Sequence, residues 1–348
     1  MAPVASVPPG AEPPGLGALD IRSAYNLPPH AGKGQTVAIV VAHDYPTAEH
    51  DMAVYRRQFN LPPCTSASGC FRKINQRGGS LPPPSVDPGW AAEAAIDTQM
   101  VTAACPACNI LLVEADDNSN LLAAVDQART KGAKFISMSW GRDEDPSQRP
   151  LDRIHFDHPG IAFVAASGDA GFPNLIWPAA SPFTTAAGGT QLEHTGAAEP
   201  YGGHEPDRDG WQETAWPDAG SGCSRTQPKP PFQHDPDCPN RTVADVSAVA
   251  ENVAIYTTTP NPAGETGWLR AFGTSVATPI IASAYAMAGD PRPHDRPNSY
   301  PYRHRKALHD IIQGSTGSCT GSYLCTAVPG YDGPTGNGTP NGVRAFRP

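Results

Sequence analysis

Five short apolar runs, separated by segments with helical spacing, constrain what this chain can fold into more than any other feature. They are TVAIVVA at 36–42, NILLVEA at 109–115, FISMSWG at 135–141, AFVAASG at 162–168 and TTAAGGT at 184–190. Runs of this kind, without polar alternation, are strands buried on both faces, as in a parallel sheet. Between and after them, residues 46–59, 89–104, 120–131 and 152–158 read as helices. Such alternation predicts an α/β fold in three layers, a mostly parallel central sheet with helices on both faces. Residues 19–27 add an early helix, closed by Pro28 and Pro29, while 243–251, 253–259 and 308–312 are later apolar stretches. The segments 64–88 and 196–241 read as loops, and 40 Pro and 34 Gly supply the turns that such loops need. No internal repeat is present. Residues 19–348 read as one domain behind a flexible arm at 1–18, rich in Pro, Ala and Gly.

Charge and cysteine usage narrow the class. The formal net charge of −9 and the lack of a Lys/Arg block argue against nucleic acid as a partner. No apolar run approaches the roughly 18 residues of a membrane span, so no membrane partner is expected. Eight cysteines fall into four close couples, Cys64/Cys70, Cys105/Cys108, Cys223/Cys238 and Cys319/Cys325. An even count in local couples predicts small-loop disulfides and an oxidising compartment. A single C-x-x-C, with no second thiol or His pair beside it, is a poor zinc site. The first 17 residues have no basic region followed by a long apolar one, so an export signal is expected upstream of this start or already removed.

Three places carry residues suited to chemistry. Gly273-Thr274-Ser275 is a small-residue turn leading into an apolar helical run, 275–289, with Pro279 near its start. A serine there lies beside the unpaired N–H groups of a helix start, which favour developing negative charge. Glu93 and Asp97 are spaced i, i+4 on the helix 89–104, so both carboxyls lie on one face among small or apolar neighbours. Two such groups cannot both ionise freely and share a proton, which suits a general base working in acid. Ser167-Gly168-Asp169 follows a buried strand, placing Asp169 at the carboxyl edge of the sheet, where α/β sites lie.

Together, Glu93–Asp97 as E-x-x-x-D, the S-G-D of 167–169 and G-T-S-x-A-x-P around Ser275 resemble the signature of the sedolisins. These are serine-carboxyl peptidases on a subtilisin-like fold. The resemblance runs from about residue 19 to the end. RSAYNLP at 22–28, TVADVSAV at 242–249 and YDGPTG at 331–336 are similar to actinobacterial secreted members. It implies a secreted, monomeric endopeptidase acting on proteins or peptides at acid pH. Ser275 would be the nucleophile and Glu93 its general base. Asp97 would hold Glu93, and Asp169 would donate to the oxyanion beside the Ser275 backbone N–H. The resemblance also implies one structural calcium ion, with carboxylates from Asp310 and Asp332 and carbonyls from Ile311, Val328 and Gly330.

Departures from the family pattern are Phe272 where Ser or Gly is usual, Val41 where Asp often closes the first strand, and Val328 for a common Gly. The large N-terminal prodomain usual in the family is absent from this chain. Two other readings compete: a catalytically silent relative that binds proteins or peptides through the same cleft, and an ordinary Ser-His-Asp hydrolase. For the latter only His43 and His50, near the first strand, come into question, and neither sits in a matching motif.

Overall fold

The computed structural model describes residues 13–83, 85–195, 210–319 and 321–348. Helices α1 (Ala18–Ala24), α2 (Ala48–Gln58), α3 (Pro88–Ala104), α4 (Leu121–Thr130), α5 (Gln148–His155) and α6 (Thr274–Ala288) surround one large sheet. Its strands are β1 (Thr36–Ala42), β2 (Phe71–Asn75), β3 (Asn109–Ala115), β4 (Phe135–Met138), β6 (Ala162–Ala166), β8 (Thr185–His194), β9 (Trp211–Ala215) and β12 (Val246–Val249). Outside it lie the short β5 (Arg142–Asp143) and β7 (Ile176–Trp177), the pair β10 (Gly222–Pro228) and β11 (Asn240–Val243), and the hairpin β13 (Val253–Thr257) and β14 (Gly267–Ala271). The sheet order is β12-β8-β6-β4-β1-β3-β2, with every neighbour parallel. Only β9 breaks the pattern, pairing antiparallel with β8.

Two buried clusters lie on opposite faces of this sheet. On one, Val37, Ile39 and Val41 of β1 pack under α1, α2, α3 and α6. On the other, Ala38, Val40 and Ala42 meet Leu121, Ala124, Val125 and Ala128 of α4, with Phe156 and Trp177. The odd and even residues of one strand thus serve different helix layers, as the period of two requires. The expected α/β fold in three layers, a mostly parallel central sheet with helices on both faces, is the one found.

β1 and β3 match their predicted ends and most other elements form within two residues of them, but α1 and β4 stop three residues early, α5 begins four residues early, and β8 runs four residues further. The larger differences have local causes. The expected loop at 64–88 contains β2, an edge strand whose Arg72 and Lys73 hide it among polar residues. The expected loop at 196–241 contains β9 and β10 and the start of β11, while 196–209 lie outside the described residues. The run 243–251 is divided between the end of β11 and β12. The segment 308–312 forms only the two-residue strand Leu308–His309. Residues 1–12 of the expected arm lie outside the described residues; Leu16 bridges in parallel to Val253, and Gly17 N–H donates to Asp20 Oδ2 at 2.8 Å at the start of α1. All four expected cysteine couples are disulfides, Cys64–Cys70, Cys105–Cys108, Cys223–Cys238 and Cys319–Cys325.

One buried ion pair fastens β11 to the sheet. Arg241 and Asp245 are fully buried, and Arg241 donates to both carboxylate oxygens of Asp245. Asp245 also accepts Ala186 N–H at 2.7 Å and the Tyr302 hydroxyl at 2.6 Å. Removing one partner of such a pair strands the other charge in a low-dielectric interior. Arg241→Met should therefore lower unfolding free energy by about 3–5 kcal/mol in urea titrations at neutral pH. A loss below about 1 kcal/mol would show that the pair behaves like a surface contact.

Candidate active site

Helix α3 brings two carboxyls into the interior. Asp87 caps it, accepting Trp90 N–H at 2.9 Å, and Pro88 occupies the first turn, where its missing N–H is harmless. From Ala91 to Ala104 only Glu93 is not fully buried. The alanines on either side of Glu93 leave room for α6 to pack close.

Asp97 is wholly buried, and Ser139, just beyond β4, donates to its Oδ1 at 2.6 Å. Asp97 Oδ2 and Glu93 Oε1 are shielded from solvent with no hydrogen-bond partner. Burial pushes Asp97 up to about 8, with the Ser139 hydrogen bond pulling the other way. Glu93 is held well above its ordinary value, first by burial and then by the charge of Asp97. The nearby Ser275 hydroxyl opposes this rise and the charge of Asp169 adds to it. The two carboxyls therefore titrate as a coupled pair, above the ordinary carboxylate range.

The remaining groups arrive from the carboxyl edge of the sheet. β6 ends at Ala166, and the chain turns through Ser167-Gly168-Asp169. Asp169 Oδ1 accepts both Thr274 N–H, at 2.8 Å, and the Thr274 hydroxyl, at 2.9 Å. Gly168 N–H in turn donates to Thr274 Oγ1 at 3.1 Å. Gly273 has φ +120, and a Cβ there would stand 2.8 Å from Asp169 Oδ2, so only glycine fits between that carboxyl and the helix start. Ser275 follows as the second residue of α6 and is 8% exposed. Asp169 is exposed, so its carboxyl reaches the start of α6 from the solvent side.

All four expected site residues thus meet at one place: Glu93 and Asp97 from α3, Asp169 from the turn after β6 and Ser275 from α6. Ser139 and Thr274 were not among them. Ser139 follows a buried strand on the same edge that supplies Asp169, a position too common for a hydroxyl to have marked it in the sequence. The histidine reading gains no support. His43 Nδ1 lies 2.8 Å from Ser85 Oγ and His50 Nδ1 2.9 Å from Asp51 Oδ1. Among the described residues no histidine hydrogen-bonds Ser275 or Glu93.

The sequence model of the Subtilase family matches residues 89–316, a span that takes in Glu93, Asp97, Asp169 and Ser275. The chain belongs to the subtilase family. Its likeness within the subtilases runs to the sedolisins. Kumamolisin of Bacillus sp. (strain MN-32) is 29% identical over 372 residues, covering 94% of this chain and 62% of that protein. Aorsin of Aspergillus oryzae is 26% identical over 298 residues, covering 74% of this chain and 43% of that protein. This subtilase therefore spans less than two thirds of the length of these curated relatives. Its fold superposes on Pseudomonas sedolisin, a serine-carboxyl proteinase, with TM-score 0.74 at 23% identity over 95% of this chain and 96% of that one. Sphericase follows with TM-score 0.58 at 18% identity, over 95% and 98% of the two chains.

A second oxygen-rich place lies near the C-terminus of this subtilase. Asp332 is fully buried, accepting Val328 N–H on Oδ2 at 3.0 Å and Thr335 N–H on Oδ1 at 2.8 Å. Burial pushes it up to about 7, and the charge of Asp310 adds to that. Asp310 Oδ2 accepts Gly330 N–H at 2.8 Å. Among the described residues the carbonyls of Ile311, Val328 and Gly330 accept no hydrogen bond. Two carboxyls that repel one another beside three free carbonyls make a donor set that fits a hard cation. No group of three or more His, Cys, Asp or Glu side chains that could hold a metal occurs among the described residues.

The raised carboxyls give a pH dependence of known sign. A carboxyl whose folded pKa exceeds its unfolded one stabilises the fold below the unfolded value, and this contribution is lost as pH rises through the folded value. Asp97 and Glu114, each pushed up to about 8 mainly by burial, act in this direction. The thermal midpoint should fall between about pH 4 and 8, and Asp97→Asn should flatten that fall. A midpoint that rises over the range would contradict the buried-pair geometry.

Proposed function

We propose that this subtilase is a secreted serine-carboxyl endopeptidase that hydrolyses peptide bonds of proteins in acid. The observation that carries the reading is the Glu93–Asp97 pair, one turn apart on α3 and set beside Ser275 at the start of a helix, with Glu93 held above its ordinary value by burial and by Asp97. In this reading Ser275 attacks the scissile carbonyl carbon as Glu93, ionised while Asp97 carries the pair's own proton, takes the proton of Ser275. The tetrahedral oxyanion faces the N-terminus of α6, where the Ser275 N–H donates. Asp169, at the same helix start, donates a second hydrogen bond when protonated. Glu93 then returns the proton to the leaving amine, and water repeats the cycle on the acyl-enzyme.

A carboxylate base and a carboxylic-acid donor both work below neutrality, which supports the acid range. The four disulfides support an oxidising compartment and hence secretion. Among the described residues no helix is long and apolar enough to cross a membrane. One calcium ion held by Asp310, Asp332 and the carbonyls of Ile311, Val328 and Gly330 would tie the C-terminal loops together. Its charge would relieve the repulsion between the two aspartates.

Two experiments test this reading. With an unfolded protein as substrate at about pH 4, Ser275→Ala should lower turnover on the order of 10⁴-fold or more. Asp169→Asn should cost about 10²–10³-fold, the range for one oxyanion donor. Cleavage that survives Ser275→Ala would remove the nucleophile from the account, and an inactive wild type would favour a silent binding relative. Separately, calcium at about 100 times its Kd should raise the thermal midpoint by about 5 °C in the wild type and leave Asp310→Ala unmoved. An equal rise in both would place the ion elsewhere.

A further inference from the structure

One hydroxyl beside the carboxyl pair has two acceptors and a single proton. Ser139 Oγ lies 2.6 Å from Asp97 Oδ1 and 3.4 Å from the carbonyl oxygen of Ser275. Burial alone does not give a serine such partners. Ser137, two residues earlier and on the same side of the strand, is buried with its hydroxyl unpartnered. The second acceptor exists because of a proline. In a helix the carbonyl of Ser275 would take the N–H of residue 279, but that residue is Pro279, which has none. Ser139 therefore stands beside an orphaned carbonyl that belongs to the nucleophile itself.

Its surroundings hold it there. Ser139 is 7% exposed, and the next residue is pinned by Trp140 Nε1 donating to Val40 O at 3.1 Å. The charged groups that bear on Asp97 and its partner are Glu93, one turn away on α3, and Asp169 from the turn after β6. No basic side chain among the described residues acts on the pair, and β1 presents apolar Val37, Ile39 and Val41 to this layer.

We propose that Ser139 is a positioning residue that couples the protonation of the Glu93–Asp97 pair to the turn carrying Ser275. The proposal rests on the acyl-transfer reading above and adds a regulating contact to it. While Asp97 Oδ1 carries no proton, the Ser139 hydroxyl donates to it and the Ser275 carbonyl goes without a donor. Once the pair has taken the proton of Ser275 it holds two, and the one on Asp97 Oδ1 donates to Ser139 Oγ, whose own proton turns to the Ser275 carbonyl. No covalent bond to carbon changes; one proton moves onto the pair and one hydroxyl rotates. The nucleophile's backbone is thus held in the state that follows proton transfer from Ser275 to the pair.

The direct test is a carbon-13 NMR titration of the side-chain carboxyls in a Ser275→Ala background, with Asp97 assigned by Asp97→Asn. Adding Ser139→Ala should raise the Asp97 midpoint by about one pH unit, the worth of a hydrogen bond to a charged group. Ser139→Thr, which keeps the hydroxyl, should restore it. In the enzyme with Ser275 intact, Ser139→Ala should move the pH profile of kcat in the same direction. Pro279→Ala gives the Ser275 carbonyl a helical N–H, so in that background the fall in kcat caused by Ser139→Ala should shrink while the shift in the profile remains. If Ser139→Ala does not fold, Ser139→Cys, a weaker donor, must raise the midpoint by a smaller amount. An unmoved Asp97 midpoint, or a Thr variant that behaves like the Ala variant, overturns the coupling. Turnover that ignores Ser275 instead sinks the acyl-transfer reading, and the NMR titration still judges the coupling.

Discussion

Burying two carboxyl groups one helical turn apart sets the terms for the rest of this molecule. Ionising either one in a dry interior is costly, and ionising both costs more still. Asp97 is completely enclosed, with one hydrogen bond from Ser139 and one oxygen left without a partner. Such a pair lowers its own cost by keeping a proton. What would be a liability in a structural protein becomes a proton store beside Ser275.

The fold makes that arrangement geometrically cheap. Parallel strands bring the ends of β4 and β6 to one edge of the sheet, which delivers Ser139 and Asp169 to the same spot. Helices α3 and α6 lie together on one face, and the small residues along α3 let them come close. Gly273 then lets the chain pass under the Asp169 carboxyl, and Thr274 ties that carboxyl to the helix start with two hydrogen bonds. Each contact joins elements far apart in sequence, so the site forms only when the sheet does.

Much of this was legible in the sequence because buried parallel strands are written as unbroken apolar runs. The ends of β1 and β3 could be read directly for that reason. β2 could not, because an edge strand carries charge and FRKIN has no apolar run to show. β9, on the margin of the sheet, and β10, in a separate pair with β11, stayed hidden because such strands lean on partners rather than on their own pattern. At the site, the spacing of Glu93 and Asp97 and the two glycine turns were readable one by one. Ser139 was not singled out, since a hydroxyl at a strand end is common and only the distance to Asp97 gives it meaning. The carbonyl donors near Asp332 were named from family resemblance, because a backbone oxygen has no letter in the sequence.

The central claim is that a carboxyl pair, rather than an imidazole, activates Ser275. The pH dependence of kcat/KM on an unfolded protein substrate, for the wild type against Glu93→Gln, tests it most directly. The account predicts an acidic optimum in the wild type and its disappearance in Glu93→Gln, with no activity returning near neutrality. An optimum near neutral pH that persists in Glu93→Gln would contradict it and assign the proton of Ser275 to a different base.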